Sequence, residues 1–179
     1  MYTYENIGVR LLAKEDAIIL SRWLSDPRVL EYYEGRDRPH DLDAVRQHFF
    51  NTSSEEEVTR CIIQYEDKPI GYIQYYHVAA DEREVYGYDS FKGKIYGMDQ
   101  FIGEPEYWNR GIGTKLIVSM VQQLTLVEKA DKIVMDPRVH NERAIRVYEK
   151  CGFVKAALLP KHEYHEGAYH DCWVMEYQA

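Results

Sequence analysis

Nowhere in the chain do about 18 apolar residues follow one another without interruption, as a membrane-crossing helix requires. The opening Met1-Tyr2-Thr3-Tyr4-Glu5 also lacks the basic stretch and apolar run of an export signal, so a soluble, cytoplasmic protein is expected. Basic charge is in deficit. Lys and Arg total 22 against 30 Asp and Glu, giving a formal charge of −8 whose field draws in cations and repels polyanions; nucleic acid is therefore not an expected partner, and neither is a membrane. Cysteine is scarce and odd in number. Cys61, Cys151 and Cys172 have neither the paired spacing of a zinc site nor that of a redox motif, which suits free thiols in a reducing compartment. There is no internal repeat, low-complexity tract or linker.

What remains is a chain of 179 residues, 45% hydrophobic, long enough for one domain with its own core and short for two; a single domain spanning 1–179 is expected. Its 16 tyrosines pair apolar rings with polar tips, a combination suited to a wet binding surface as well as to ordinary core use.

Periodicity and punctuation divide this domain into alternating elements. Ile7 to Leu12 reads as a strand. Glu15 to Leu24 reads as a helix with Ile18, Ile19 and Trp23 at helical spacing, interrupted by Asp26-Pro27. A polar, aromatic loop surrounds Tyr32 to Asp37, after which Asp41 can cap a helix from Leu42 towards Phe50. Val58 to Tyr65 and Ile70 to Val78 flank a hairpin turn at Glu66 to Pro69, and Lys94 to Ile102 adds a further strand of an antiparallel meander. Ile112, Leu116, Ile117, Met120 and Leu124 form one helical stripe, Lys132 to Met135 a short buried strand, and Asn141 to Lys150 another helix. Phe153 to Leu158 and Tyr169 to Tyr177 close the chain as a strand pair connected by Lys161 to Gly167.

The sharpest local signal is Trp108-Asn109-Arg110-Gly111-Ile112-Gly113-Thr114, between a strand and an amphipathic helix. Its two glycines permit a sharp turn that presents backbone N–H groups, and the helix start adds positive potential, so the segment can hold a pyrophosphate. It is neither a P-loop, which ends in Gly-Lys-Ser/Thr, nor a dinucleotide fingerprint, which has a third glycine. Further on comes Asn141-Glu142-Arg143-Ala144-Ile145-Arg146-Val147-Tyr148-Glu149-Lys150-Cys151-Gly152-Phe153. An Arg-Gly-x-Gly turn followed at this spacing by Asn-x-x-Ala-x-x-x-Tyr-x-x-x-Gly-Phe resembles the acetyl-CoA site of the GNAT superfamily of N-acetyltransferases. Trp108 stands where that family usually has Gln or Arg. A turn that binds phosphate through backbone amides tolerates this departure.

The resemblance implies an α/β (α+β) fold with a mixed central sheet of about six to seven strands, flanked by helices and splayed between its fourth and fifth strands. Acetyl-CoA is the implied cofactor, with coenzyme A as product. Tyr96-Gly97-Met98-Asp99-Gln100-Phe101-Ile102-Gly103, Val134-Met135-Asp136-Pro137 and Leu30-Glu31-Tyr32-Tyr33 are similar to the aminoglycoside 6'-N-acetyltransferases over nearly the whole chain. That likeness implies acetyl transfer to the 6'-amine of aminoglycosides, hence antibiotic resistance, by a monomer or weak homodimer.

Residue by residue, the resemblance assigns Asp99 as the carboxylate that deprotonates or orients the amine, and Tyr148 as the hydroxyl that protonates the departing thiolate. Read without it, Asp99 is a solvated strand residue and Tyr148 a core tyrosine on an amphipathic helix. Met98 and Phe101 argue for burial around Asp99, where an unpaired carboxylate is costly. Phe101, Ile102, Asn109, Arg110, Gly111, Ile112, Gly113, Thr114, Asn141 and Tyr148 are the expected cofactor contacts, although Asn141 equally suits a helix N-cap. Asp99 and Asp136 lead the expected substrate contacts, followed by Asp171, Gln74, Tyr76 and Tyr32, because a polycation needs carboxylates and hydroxyls around it. No metal is expected: His162, His165, His170 and Cys172 do not form a His-Glu-x-x-His motif, and a structural or substrate-loop role suits them better. Two alternatives stay open, an N-acetyltransferase for a polyamine or protein amine and a non-catalytic acyl-CoA-binding module.

Overall fold

The computed structural model describes residues 2–51 and 58–179. Two compact units make up the chain, Met1–Gln74 with Asp99–Ile112, and Tyr75–Met98 with Gly113–Ala179. Strands β4 (Lys68–His77) and β5 (Ile95–Ile102) each contribute residues to both.

In the first unit β1 (Tyr2–Tyr4) pairs antiparallel with β2 (Ile7–Leu11), which pairs antiparallel with β3 (Val58–Tyr65), Val9 opposite Ile63. β3 returns into β4 through Glu66 and Asp67, both with left-handed φ (49° and 64°), which matches a two-residue hairpin turn whose twist suits the strands it joins. Two of this unit's three α-helices follow from short-range chemistry. Asp26 accepts from Arg28 N at 2.9 Å and Pro27 opens the four-residue α2 (Pro27–Leu30), while Asp41 accepts from Ala44 N at 2.8 Å and caps α3 (Leu42–Phe50). α1 (Ala17–Trp23) buries Ala17, Leu20 and Trp23. The expected Ile18 points away and is 73% exposed, because the buried stripe runs through Ala17, Leu20 and Trp23 at successive i, i+3 positions and leaves Ile18 on the opposite face. Leu20, Trp23, Leu24, Val45, Phe49, Ile62, Tyr72 and Phe101 form one core, each large side chain contributing about 1.5–3 kcal/mol by leaving water.

In the second unit β5 runs parallel to β6 (Lys132–Met135), β6 antiparallel to β8 (Ala168–Gln178), and β8 antiparallel to β7 (Val154–His165). The β5–β6 ladder spans only Ile95–Gly97 against Lys132–Val134, and β5 continues to Ile102 without it. Counted from Ile7, these are the fourth and fifth strands, the pair expected to splay. Helices α5 (Ile112–Leu126) and α6 (Glu142–Lys150) complete the strand-helix-strand-helix order.

The strands are ordered β1-β2-β3-β4-β5-β6-β8-β7, a mixed α/β architecture. Seven are those indicated by the sequence; the eighth is Tyr2–Tyr4. Two expectations need correction. β7 extends to His165, so the connection to β8 is only the turn Glu166-Gly167 (φ 49° and 83°), and the polar segment from Lys161 belongs to the strand after an irregularity at Leu159/Glu163. Helix α4 (Ala80–Tyr86) was not foreseen; it buries only Tyr86 and closes on Gly87, φ 78°, whose N–H bonds back to Arg83 and Glu84 carbonyls. Among the described residues no helix is long and apolar enough to cross a membrane.

Candidate active site

The bonds from Gly103 N to Ile70 O (2.8 Å) and from Val78 N to Ile95 O (3.0 Å) run β4 and β5 antiparallel and set Gln74 directly opposite Asp99. Side chains on one face of a strand alternate, so Tyr72, Gln74 and Tyr76 share a face of β4. In the first unit the Tyr72 hydroxyl donates to Gln74 Oε1 at 2.8 Å, and Gln74 Nε2 donates to Asp99 Oδ2 at 2.9 Å. Asp99 is half-buried, between the buried Met98 and Phe101. Its carboxylate thus lies where a charge is only partly hydrated and is held by a directed donor.

Phe101 is fixed by rings on three sides: Trp23 at 6.1 Å, Tyr33 at 4.7 Å and Tyr72 at 5.8 Å between centroids. Trp108, the departure from the family pattern, donates its indole N–H to Ile102 O at 2.8 Å and meets the edge of Tyr32 at 6.2 Å. The chain then turns with φ of 58° at Asn109 and 77° at Gly111, both left-handed, before α5 starts at Ile112. A Cβ on Gly111 would meet nothing within 4 Å, so its backbone is open. Arg110 extends over the Tyr107 ring at 5.2 Å. An open left-handed turn leading into a 15-residue helix leaves the first helical N–H groups without intrahelical carbonyls, and such a site accepts phosphate oxygens through backbone donors. Asn109 at the left-handed position fits, since asparagine tolerates it better than most residues.

In the second unit, the first turn of α5 meets α6. A Cβ on Gly113 would lie 3.9 Å from Val147, and the Cys151 thiol donates to Thr114 O at 3.6 Å. Asn141 Oδ1 accepts from Ala144 N at 3.3 Å and caps α6. Tyr148 is 9% exposed, on the same face as Ile145, with its ring 6.1 Å from Phe153.

Of the expected substrate residues in this unit, Asp136, just past β6, meets His162 Nε2 at 3.0 Å. That contact holds the His162 imidazolium above the ordinary histidine range, against burial, with Glu163 and Glu82 adding to the effect. Burial, reinforced by Asp136, keeps Glu82 and Glu163 above the usual carboxylate range. Asp171 accepts from Lys161 N at 2.8 Å and so braces the β7 irregularity. The Tyr76 ring lies over Gly97, where a Cβ would approach it to 2.6 Å. Tyr32 is exposed, in the first unit beside Trp108.

Sequence reasoning passed over Tyr72, Trp108 and His162 as partners of these groups. Tyr72-x-Gln74-x-Tyr76 is the alternation that flags the first; nothing in the sequence pairs His162 with Asp136. Burial pushes the Cys61 and Cys172 thiols up, to about 11 and about 12, so neither is a ready nucleophile. Among the described residues no group of three or more His, Cys, Asp or Glu side chains is arranged to hold a metal.

Residues 13–159 match the model of the acetyltransferase (GNAT) domain. The chain is 32% identical over 150 residues, 83% of its length and 74% of the relative's, to aminoglycoside N(6')-acetyltransferase type 1 of Klebsiella pneumoniae. A shorter match, 29% over 68 residues, or 38% of the chain and 44% of the relative, is to spermine/spermidine N(1)-acetyltransferase of Bacillus subtilis. Among solved structures, that of aminoglycoside acetyltransferase AAC(6')-Ib with coenzyme A and kanamycin superposes with a TM-score of 0.75 at 26% identity, covering 96% of this chain and 94% of that one. The chain belongs to the GNAT acetyltransferase family.

Proposed function

We propose that this chain transfers the acetyl group of acetyl-CoA to the 6'-amine of aminoglycoside antibiotics in the cytoplasm, as one acetyltransferase domain, monomeric or weakly dimeric. The observation that carries the reading is the likeness to aminoglycoside N(6')-acetyltransferase over most of both chains. The acidic balance of the protein and the half-buried Asp99 agree with a cationic acceptor.

Acetyl-CoA, when bound, supplies an electrophilic thioester carbonyl. Backbone N–H groups from Asn109 to Thr114 would hold its pyrophosphate, with the Arg110 guanidinium adding positive charge, and the β5 backbone at Phe101 and Ile102 would supply donors to polarise that carbonyl. An aminoglycoside amine is protonated at neutral pH and has no lone pair to offer. Asp99 Oδ accepts that proton, directly or through a water, and frees the nitrogen to attack. The Tyr148 hydroxyl would give its proton to the coenzyme A thiolate as it leaves. Asp136, Asp171, Tyr32 and Tyr76 hold the remaining ammonium and hydroxyl groups of the sugar rings. Acetylation removes one positive charge from the drug, which is the basis of resistance.

The competing acceptor is a polyamine. Steady-state kcat/KM for kanamycin-type aminoglycosides and for spermidine, followed by release of CoA thiol, separates the two. The proposal expects the aminoglycosides to be favoured by at least an order of magnitude; a preference for spermidine would replace it.

A further inference from the structure

We propose that Tyr72, through Gln74, is a positioning residue that holds the Asp99 carboxylate in the orientation needed to receive the amine proton. The inference rests on the proton-accepting role of Asp99 given above.

An ionised carboxylate only accepts hydrogen bonds, so Gln74 must turn its NH2 group towards Asp99 Oδ2, at 2.9 Å. Its carbonyl oxygen then faces the other way, where the Tyr72 hydroxyl donates to it at 2.8 Å. Both ends of the amide are thereby engaged, and the Tyr72 hydroxyl fixes which end is which. If that hydroxyl were absent, the amide could rotate and present its oxygen to the carboxylate, a repulsive contact.

Tyr72 is suited to this task by its surroundings. It is 0% exposed, so it cannot touch a substrate. Its ring is wedged edge-on against Phe49 at 5.1 Å and tilted against Phe101 at 5.8 Å, in the core that also holds Trp23. Burial drives its hydroxyl far above the ordinary tyrosine range despite the opposing influence of Arg60, so it remains a donor at every working pH. The strand ladder sets Gln74 opposite Asp99, so the backbone fixes the spacing and the side chains fix the orientation. Successive bonds of one polarity also strengthen one another in a partly dry site.

The test is a double-mutant cycle on Tyr72→Phe and Gln74→Leu, read as kcat and KM with acetyl-CoA and the amine that the wild type turns over fastest. Tyr72→Phe keeps the ring and its packing. The expected result is a roughly tenfold fall in kcat with an unchanged KM for the amine. In the Gln74→Leu background Tyr72→Phe should cost nothing further, because the amide that links its hydroxyl to Asp99 is gone. Full kcat in Tyr72→Phe, or an equal additional loss in the Gln74→Leu background, overturns the proposal; so does a higher KM at constant kcat, which would make Gln74 a substrate ligand. Asp99→Asn measured alongside keeps the two readings apart. If it abolishes turnover while Tyr72→Phe does not change kcat, only the positioning role fails. If Asp99→Asn is fully active, both fail.

Discussion

An ammonium nitrogen has no lone pair until its proton leaves, and in this account the leaving proton goes to Asp99. Asp99→Asn keeps the size of the side chain and can still meet Gln74, so it should fold as the wild type does while losing about 10²–10⁴-fold in kcat, checked by thiol release beside a thermal melt. Two further residues predict stability. Ser119 is fully buried in α5 and its hydroxyl has no hydrogen-bond partner among the described residues, so Ser119→Ala should raise stability by about 1 kcal/mol, measured by urea unfolding. The Asp136–His162 contact predicts a pH dependence. The folded pKa of His162 is raised by Asp136, so the stabilisation is fully present below the ordinary histidine pKa and is lost as pH rises through the raised folded value. Asp136→Asn should therefore lower Tm more at pH 5.5 than at pH 9; an equal loss at both would show that the pair carries no charge-dependent stability.

At the scale of elements, the turn and the two helices beyond it depend on a few backbone conformations. Gly111 has φ 77°, so any side chain there is strained even though the space is open. Gly111→Val should cost roughly 1–2 kcal/mol of stability and raise KM for acetyl-CoA more than KM for the amine, read in a steady-state assay varying each substrate in turn. This level was also the most legible from sequence. Asp41, Asn141, the β-rich run Val58–Tyr65 and the short apolar run Lys132–Met135 are local signals, and the structure follows them nearly residue for residue. α4 escaped because Ala80–Tyr86 has a single buried side chain and so no apolar stripe to read. β7 escaped beyond Leu158 because Lys161 adopts φ 51° and Pro160 and Lys161 look like loop, whereas pairing with β8 resumes at Glu163 and carries the strand on. In the candidate site, types and strand positions were legible, but partnerships were not. That Gln74 faces Asp99, or that His162 reaches Asp136, depends on register between segments distant in sequence, which composition and periodicity do not encode.

On the scale of the whole molecule, 30 acidic against 22 basic residues give the protein a field that gathers polycations before any specific contact forms. Long-range attraction of this kind is screened at about 8 Å in 0.15 M salt, so KM for an aminoglycoside should rise with ionic strength while kcat holds. The substrate assignment itself is tested most directly by pairing two aminoglycosides that differ only in having an amine or a hydroxyl at the 6' position. Each is incubated with the purified protein and acetyl-CoA, CoA thiol is counted, and the product is analysed for the acetylated position. Turnover of the amine with acetyl on its 6' nitrogen, and none of the hydroxyl compound, is the predicted result. Equal turnover of both, or acetyl found on another nitrogen, would contradict the account.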